Sequence, residues 1–301
     1  MIEHLVISGG ANGGFSYLGA IKYLIENGIL IMEDIQTIYA TSIGTIITTV
    51  LCLQLDFENV EKYFLERPWK ELYKMDVSSI FKAIQKGGLL DENIIKNTVS
   101  PLLLANDMSV DITMLDFYKK TKKEIHFFTT RFSDLSLIDI SYKTHPTWKL
   151  TEAIYASCSL PILFEAFEKD NEQYIDGGIL ANYPLSCAIE NNIDPETIFG
   201  ITSKNDMNNV YNNTSKYKIL DYITSIVYKV VDKIRRNNDV ACKLELQIYY
   251  TCSIYDIMKS IESYDERVRL FNLGIECAEN YFNQRTDSKN SSNPDSVILA
   301  S

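Results

Sequence analysis

The feature that most constrains this chain is residues 37–53, TIYATSIGTIITTVLCL, which indicate a strand, a sharp turn and a helix. β-branched and aromatic residues at the start are typical of a buried strand, and the apolar remainder is long enough for a helix. Ser42 lies in the turn, between the small residues Ala40 and Gly44. This layout matches the nucleophile elbow G-x-S-x-G, with alanine in the first glycine position. The alternative is a buried strand that ends in an ordinary Ser-x-Gly turn.

A glycine-rich loop, Gly9-Gly10-Ala11-Asn12-Gly13-Gly14, follows a first predicted strand over residues 4–8. Glycines let the backbone approach a ligand closely and direct N–H groups at it. A helix predicted from residue 15 and the strand before Ser42 complete a βαβ unit, so the sheet is expected to be partly parallel. The alternatives are a tight turn without a ligand and a nucleotide loop. The spacings G-x-G-x-x-G and G-x-x-x-x-G-K-[ST] are both absent, which weakens the nucleotide alternative.

A serine nucleophile needs a base, because its hydroxyl is weakly nucleophilic at neutral pH. The usual base is histidine, and the chain has three, His4, His126 and His145. None of them follows Asp176, as the chain order serine, acid, histidine of the α/β-hydrolases would require. The three histidines are therefore expected to be structural, and a carboxylate is the candidate base.

Asp176, followed by Gly177 and Gly178, is that carboxylate. It ends a short predicted strand, where neighbouring glycines leave its side chain room to reach a site. An aspartate has a reference pKa of about 3.9, and shelter from water would raise this pKa toward a value more useful for a base. The alternative is an Asp-Gly turn of a hairpin.

The glycine loop, the serine turn and Asp-Gly-Gly, taken in this order, resemble the pattern of the patatin-like phospholipases. Residues 8–14 resemble D/S-G-G-G-x-[K/R]-G, residues 40–44 resemble G-x-S-x-G, and residues 176–178 resemble D-G-[G/A]. Two further blocks resemble A-I-x-A-S-x-x-x-P-x-x-F, at residues 153–164, and D-G-G-x-x-x-N-x-P, at residues 176–184. The resemblance covers residues 1–205 and implies a three-layer α/β/α fold with a partly parallel central sheet.

The resemblance also implies a function, the hydrolysis of lipid acyl esters through a Ser42 acyl-enzyme with Asp176 as general base. No metal or cofactor is implied. The N–H groups of Gly9, Gly10 and Ala11 would form the oxyanion hole. The supporting motif positions are Ala40, Gly44, Gly14, Gly177 and Gly178.

The chain departs from the family pattern at three positions: Ala11 replaces a loop glycine, Gly13 replaces the basic residue, and Ala40 replaces the first elbow glycine. These changes leave the nucleophile and base in place but allow for a weakened enzyme. Three alternatives stay open at this point. They are acyl transfer to an alcohol by the same dyad, a lipid-binding or interaction module, and a nucleotide-binding domain.

The composition of the chain limits the kinds of partner and cellular location that we expect for it. The net charge of −11 and the pI of about 4.9 argue against a nucleic-acid partner. Six cysteines without a C-x-x-C pair are typical of reduced thiols in an intracellular protein. The N-terminal residues do not resemble a signal peptide, and no apolar run reaches the about 18 residues of a membrane span. We expect a cytoplasmic protein that contacts membranes at most peripherally. The sequence does not predict an oligomeric state.

The composition changes after residue 204, which predicts three segments. Residues 1–205 form the catalytic domain, residues 206–284 a helical extension packed on it, and residues 285–301 a disordered tail. Within the extension, residues 217–234 carry a wide apolar stripe at helical spacing. This stripe is expected either to pack against the catalytic domain or another subunit, or to contact lipid.

The proposed Ser–Asp pair requires no metal, and the sequence has no His/Cys/Asp/Glu cluster with ligand spacing. Ester hydrolysis is therefore expected to survive prolonged treatment with EDTA. Turnover of a soluble ester should be measured before and after chelation. Loss of turnover that calcium restores would indicate a metal in the site or in lipid binding.

Overall fold

A computed structural model describes residues 1–73, 87–205 and 241–291, together with the single positions Tyr222 and Lys229. The strands in these residues are β1 His4–Ile7, β2 Thr37–Thr41, β3 Gly88–Leu90, β4 Glu124–Arg131, β5 Ser136–Ile140, β6 Ile162–Phe164, β7 Phe167–Lys169, β8 Glu172–Asp176, β9 Ile198–Asn205 and β10 Leu244–Tyr250. The α-helices in these residues are α1 Gly14–Glu26, α2 Ile43–Leu53, α3 Phe57–Glu66, α4 Trp69–Leu72, α5 Asn93–Ala105, α6 Met114–Thr121, α7 Leu150–Cys158, α8 Gly178–Ala181, α9 Leu185–Glu190, α10 Ile254–Glu262 and α11 Tyr264–Ser291.

The central sheet has the strand order β10-β9-β1-β2-β4-β8-β7, with β5 also paired to β4. The strands from β10 to β4 run parallel, whereas β5, β7 and β8 are joined by antiparallel pairings. β1 lies inside the sheet and is buried along its whole length, which explains its nearly continuous apolar sequence. The partly parallel sheet predicted from the βαβ unit is confirmed.

Alternate residues of the inner strands face two separate cores. In β1, Leu5 and Ile7 join the larger core with α1, α2, α5, α7 and α11, whereas Val6 joins a smaller core with α9. In β2, Ala40 faces the larger core and Tyr39 the smaller. Helices therefore cover both faces of the sheet, and the predicted three-layer α/β/α arrangement is confirmed.

One edge of β4 brings two distant parts of the chain together. β2 pairs with β4 as far as Thr41 opposite Phe128, and β8 pairs with β4 from Asp176 opposite Thr129. β5 pairs with a stretch of β4 that overlaps both of these, so β5 occupies the other edge. The carboxyl ends of β2 and β8 therefore meet at consecutive positions on the same edge of β4.

The C-terminal segment contains the predicted helices, α10 and α11, but also a strand that was not predicted. β10 pairs with β9 in parallel and adds a strand to the central sheet, and α10 and α11 pack against the sheet and helices of the larger core. α11 also continues to Ser291, past residue 285 where the disordered tail was predicted to begin. A strand after a long connection has no local signal that separates it from a loop, because its pairing partner is remote in sequence. The apolar helix predicted over residues 217–234 lies outside the described residues, apart from two positions.

α11 crosses α1 at very short range through two glycines. A Cβ atom placed on Gly19 of α1 would lie 1.9 Å from the Phe271 carbonyl oxygen, and one placed on Gly274 of α11 would lie 1.8 Å from the Ser16 carbonyl oxygen. Both contacts are with backbone atoms, which cannot move aside as a side chain can. The C-terminal helix is therefore fixed on the helix that follows the glycine loop.

Substitution of Gly274 by alanine should separate these two helices. Forcing a methyl group into such a contact typically costs about 1–3 kcal/mol of unfolding free energy. Denaturant unfolding should show this loss in Gly274→Ala. The exposed Asn272 lies on the other face of α11, and Asn272→Ala should stay within about 0.5 kcal/mol of the parent. Equal stability of the two variants would contradict the close crossing.

Candidate active site

Ser42 occupies the turn between β2 and α2 with a strained backbone. Its φ of 53° and ψ of −126° lie in a region that residues with side chains rarely adopt, at a typical cost of about 1–3 kcal/mol. Gly44 allows the turn, because a Cβ there would lie 2.6 Å from the Ile7 carbonyl oxygen. Ala40 is fully buried in β2 and its methyl group is accommodated in the larger core. The sharp strand-to-helix turn predicted at residues 40–44 is confirmed as a backbone conformation.

The Ser42 side chain contacts Asp176. The Ser42 hydroxyl donates a hydrogen bond of 2.7 Å to Asp176 Oδ2, and Asp176 is only 4% exposed. The other carboxylate oxygen, Oδ1, accepts a hydrogen bond of 2.6 Å from the Gly178 N–H. The two residues are brought together by the edge of β4 shared between β2 and β8. This geometry can carry a proton from the serine hydroxyl to the carboxylate.

Ser157 holds the serine turn from behind, a role that the sequence did not reveal. The Ser42 N–H donates to Ser157 Oγ at 2.9 Å, and Ser157 Oγ donates to the Phe128 carbonyl oxygen at 2.6 Å. This hydroxyl therefore ties the serine turn to β4. Ser157 is the serine of the motif at residues 153–164. The motif match pointed to this residue, but it did not predict that Ser157 contacts Ser42.

The glycine loop lies beside Ser42, but its N–H groups differ in what they can bind. A Cβ on Gly9 would lie 3.1 Å from Ser42 Cβ, which places the loop next to the nucleophile candidate. The N–H of Gly9, a predicted oxyanion donor, donates to the Asn182 carbonyl oxygen at 2.8 Å, so it would have to leave that partner to bind an oxyanion. No group among the described residues accepts a hydrogen bond from the N–H of Gly10 or Ala11. These two remain candidates for binding an oxyanion.

Ala11 adopts a backbone that explains why the family pattern has glycine there. Its φ is 44°, in the left-handed region, which costs a residue with a Cβ roughly 1–2 kcal/mol. The chain therefore keeps the loop conformation without the residue that favours it. The substitution strains the loop but leaves the Ala11 N–H in place.

The remaining predicted positions support this arrangement through close contacts. Gly14 begins α1, and a Cβ there would lie 2.4 Å from Ile43 Cγ1, beside the serine turn. A Cβ on Gly177 would lie 2.0 Å from the Phe128 carbonyl oxygen. Asn182, which belongs to the block at residues 176–184, donates its Nδ2 to the Gly9 carbonyl oxygen at 3.3 Å. The Asp-Gly-Gly segment and the glycine loop are therefore joined directly.

The three histidines contact other groups. His4 Nδ1 contacts Thr37 Oγ1, and His145 Nδ1 contacts Thr144 Oγ1. His126 lies between Asp139 and Glu124, at 2.8 and 2.9 Å. Burial by itself would lower the pKa of His126, but the two carboxylates raise it above its ordinary value. None of these contacts is with Ser42 or Asp176.

The Ser42–Asp176 pair opens into a pocket with mostly apolar walls. The helices α1, α2, α4 and α10 and the strand β6 supply side chains that include Phe15, Leu18, Ile46, Trp69, Leu163 and Ile261. The buried thiol of Cys158 also lines the pocket, and burial together with the nearby Asp176 charge raises its pKa. That thiol is a neutral wall group, since a thiol with a raised pKa is a poor nucleophile. The pocket suits an apolar ligand.

Among residues 1–73, 87–205 and 241–291, no three His, Cys, Asp or Glu side chains are grouped so that they could hold a metal ion. All six cysteines are free thiols. Within the same ranges, no helix combines the length and the apolar character needed to cross a membrane.

A strained serine at the carboxyl end of a parallel strand, paired with a buried aspartate, defines an α/β protein with a hydrolase-like site. The family model described as patatin-like phospholipase matches residues 5–189, more than half of the chain. The chain therefore belongs to the patatin-like phospholipase family. This membership places it in the broad class of lipid hydrolases.

Three known proteins are similar to this chain in sequence or in fold. "Uncharacterized protein R571" of Acanthamoeba polyphaga mimivirus is 25% identical over 229 residues, which are 75% of this chain and 74% of that protein. "Probable lipid hydrolase 463L" of Invertebrate iridescent virus 6 is 28% identical over 190 residues, which are 62% of this chain and 63% of that protein. The crystal structure of VipD from Legionella pneumophila is similar in fold, with a TM-score of 0.57 at 16% identity, over 94% of this chain and 67% of that chain.

Removal of the Ser157 hydroxyl should disturb the serine turn without removing either member of the Ser42–Asp176 pair. Reaction of Ser42 with a fluorophosphonate should slow about tenfold in Ser157→Ala, because small misplacements of a nucleophile are costly. Ser159 is a matched control. It is also a fully buried serine whose hydroxyl donates to a backbone carbonyl oxygen, that of Tyr155, but it does not contact Ser42. Equal effects of Ser157→Ala and Ser159→Ala would contradict a specific role for Ser157.

Proposed function

We propose that this protein hydrolyses carboxylic esters of lipids through a Ser42 acyl-enzyme, with Asp176 as the general base. The observation that carries the proposal is the 2.7 Å hydrogen bond from Ser42 Oγ to a buried carboxylate oxygen in the lining of an apolar pocket. In this bond the serine proton points at the carboxylate that would accept it during catalysis. Family membership supports the same chemistry.

Acylation begins with the attack of Ser42 Oγ on the ester carbonyl carbon, while Asp176 Oδ2 accepts the serine proton. The carbonyl oxygen becomes an oxyanion, which the N–H groups of Gly10 and Ala11 bind in this proposal. The N-terminal end of α2 adds a positive dipole near the same point. Collapse of the intermediate breaks the bond to the leaving alcohol, and Asp176 returns the proton to that alcohol. The product of this half-reaction is an ester on Ser42.

Deacylation repeats these steps with water in place of serine. Asp176 removes a proton from the attacking water, the oxyanion forms again beside the loop, and Ser42 Oγ leaves as the acyl–oxygen bond breaks. The proton on Asp176 passes to Ser42, so the enzyme is restored and a carboxylic acid is released. The Gly178 N–H binds Asp176 Oδ1 and leaves Oδ2 directed at the serine.

The lining of the pocket favours an acyl chain over a polar group. Ile46, Trp69 and Leu163 are buried side chains in the wall near Ser42. Burial of each methylene of an acyl chain against such a surface contributes about 0.8 kcal/mol. We therefore expect turnover to rise with the length of the acyl chain until the pocket is filled.

Two direct tests use the dyad. Ser42→Ala should abolish both turnover and fluorophosphonate labelling. Asp176→Asn keeps the shape of the side chain and removes the base, so turnover of a soluble short-chain ester should fall about 10²–10⁴-fold. Mass spectrometry of the labelled wild-type protein should place the adduct on Ser42. Labelling of another serine, with Ser42 unmodified, would falsify the assignment.

His126→Gln is the control for the identity of the base. His126 has two carboxylate partners. Of the three histidines it therefore most resembles a catalytic base, which is usually oriented by a carboxylate. A folded His126→Gln protein should keep most of its turnover. A variant as inactive as Asp176→Asn would mean that a histidine is the base. A wild-type protein that binds lipid but neither labels nor turns over would instead be a binding module.

A further inference from the structure

A cluster of buried hydroxyl groups lies against the face of the glycine loop that points away from the pocket. The Tyr250 hydroxyl, from β10, donates to the Gly10 carbonyl oxygen at 2.6 Å. Ser203 Oγ, from β9, lies 3.1 Å from the same hydroxyl. Tyr17 Oη lies 3.2 Å from the Gly9 carbonyl oxygen. Two successive loop carbonyls are therefore held by side chains from outside the loop.

Fixing these carbonyls also fixes the N–H groups that follow them. In a trans peptide, the C=O and the N–H of the next residue are coplanar and point in opposite directions. The Gly10 carbonyl oxygen accepts from the Gly13 N–H at 2.8 Å and from Tyr250, and together these bonds set the direction of the Ala11 N–H. The contacts on the Gly9 carbonyl set the direction of the Gly10 N–H in the same way. These are the two N–H groups for which no acceptor lies among the described residues.

We propose that Tyr250 is a positioning residue, whose hydroxyl holds the Gly10–Ala11 peptide so that the Ala11 N–H can bind the oxyanion. The proposal rests on the proposed function. It assigns a role in the site to a strand outside the residues matched by the family model, which end at residue 189. Asn12 adds a second link, because its Nδ2 donates to the Thr251 carbonyl oxygen at 3.3 Å.

The same tyrosine explains why the loop has glycine at position 13, where the family pattern has Lys or Arg. A Cβ placed on Gly13 would lie 2.0 Å from Tyr250 Oη and 2.1 Å from Cζ. A side chain at position 13 therefore fits only if the Tyr250 ring moves away from the loop. In this chain the space next to the loop is occupied by a hydroxyl donor from β10 instead of a cation from the loop itself.

Tyr250 is suited to this role because it stays a donor. Its side chain is buried, and burial raises the pKa of its hydroxyl well above the ordinary value. The hydroxyl therefore keeps its proton throughout the pH range in which Asp176 acts. The strain of Ala11, with φ at 44°, increases the need for such a restraint, since an unrestrained alanine would leave this conformation.

The first test removes only the hydroxyl. In Tyr250→Phe, kcat on a soluble short-chain ester should fall about 10- to 100-fold, with KM nearly unchanged, because an oxyanion contact is made in the transition state. The rate of fluorophosphonate labelling of Ser42 should fall in parallel. Tyr249→Phe is the matched control, since Tyr249 lies on the same strand, is 58% exposed and contacts Gln247.

Two further variants separate positioning from stability. Ile248→Val removes a buried methylene from β10 without touching the loop, so it should lower Tm but leave kcat near that of the wild type. Gly13→Lys should be nearly inactive while Tyr250 is present. The kcat of the double variant Gly13→Lys, Tyr250→Ala should be about tenfold higher than the two single losses multiplied together predict. That compensation is expected only if the two positions compete for one space.

The outcomes separate this proposal from the function on which it rests. Wild-type protein without turnover or labelling contradicts the proposed function and the positioning role together. Active wild type with Tyr250→Phe equally active contradicts the positioning role alone. A Tyr250→Phe defect matched by Ile248→Val at the same Tm would also overturn it, because the loss would then follow stability.

Discussion

The hydrogen bond between Ser42 and Asp176 depends on how the edge of one strand is shared. β2 and β8 occupy consecutive stretches of the same edge of β4, with Thr41 opposite Phe128 and Asp176 opposite Thr129. The last residue of one strand and the residue after the other are thereby adjacent, although they are 134 residues apart in sequence. A shift of either strand by one residue would turn its side chain to the opposite face of the sheet. The site is therefore a consequence of the sheet register, and the helices serve to hold that register.

Close backbone contacts then set the direction of each group in the candidate site. Gly44 lets α2 begin against the end of β1, which forces Ser42 into its strained conformation. Ser157 ties the Ser42 N–H to β4, and Asn182 joins the glycine loop to the segment after Asp176. Strain of this kind persists only where the surroundings hold it in place. Contacts on the side of Ser42 that faces away from the pocket therefore hold its side chain in the pocket lining.

The sequence predicted those parts of the candidate site that lie within short motifs of neighbouring residues. Ser42 and Asp176 each lie in a short motif, and the order of the three motifs predicted the fold that the structure has. The contacts of the glycine loop could not be predicted, because they depend on partners far along the chain. The Gly9 N–H is taken by the Asn182 carbonyl, and Tyr250 belongs to a strand whose pairing with β9 leaves no local pattern. The C-terminal strand was therefore expected to be part of a helical extension.

The glycine loop shows how a departure from a family pattern can be compensated from outside the motif. Gly13 removes a positive charge, and Ala11 adds strain, so the loop by itself is poorer in both respects than the pattern it resembles. β10 supplies a buried hydroxyl on the Gly10 carbonyl, and it can do so only because position 13 has no side chain. α11 fixes the far end of the same arrangement, since it crosses α1, the helix that leaves the loop, through Gly19 and Gly274. The C-terminal segment is thus bound to the loop from two sides, and the chemistry of the loop cannot be judged from residues 8–14 alone.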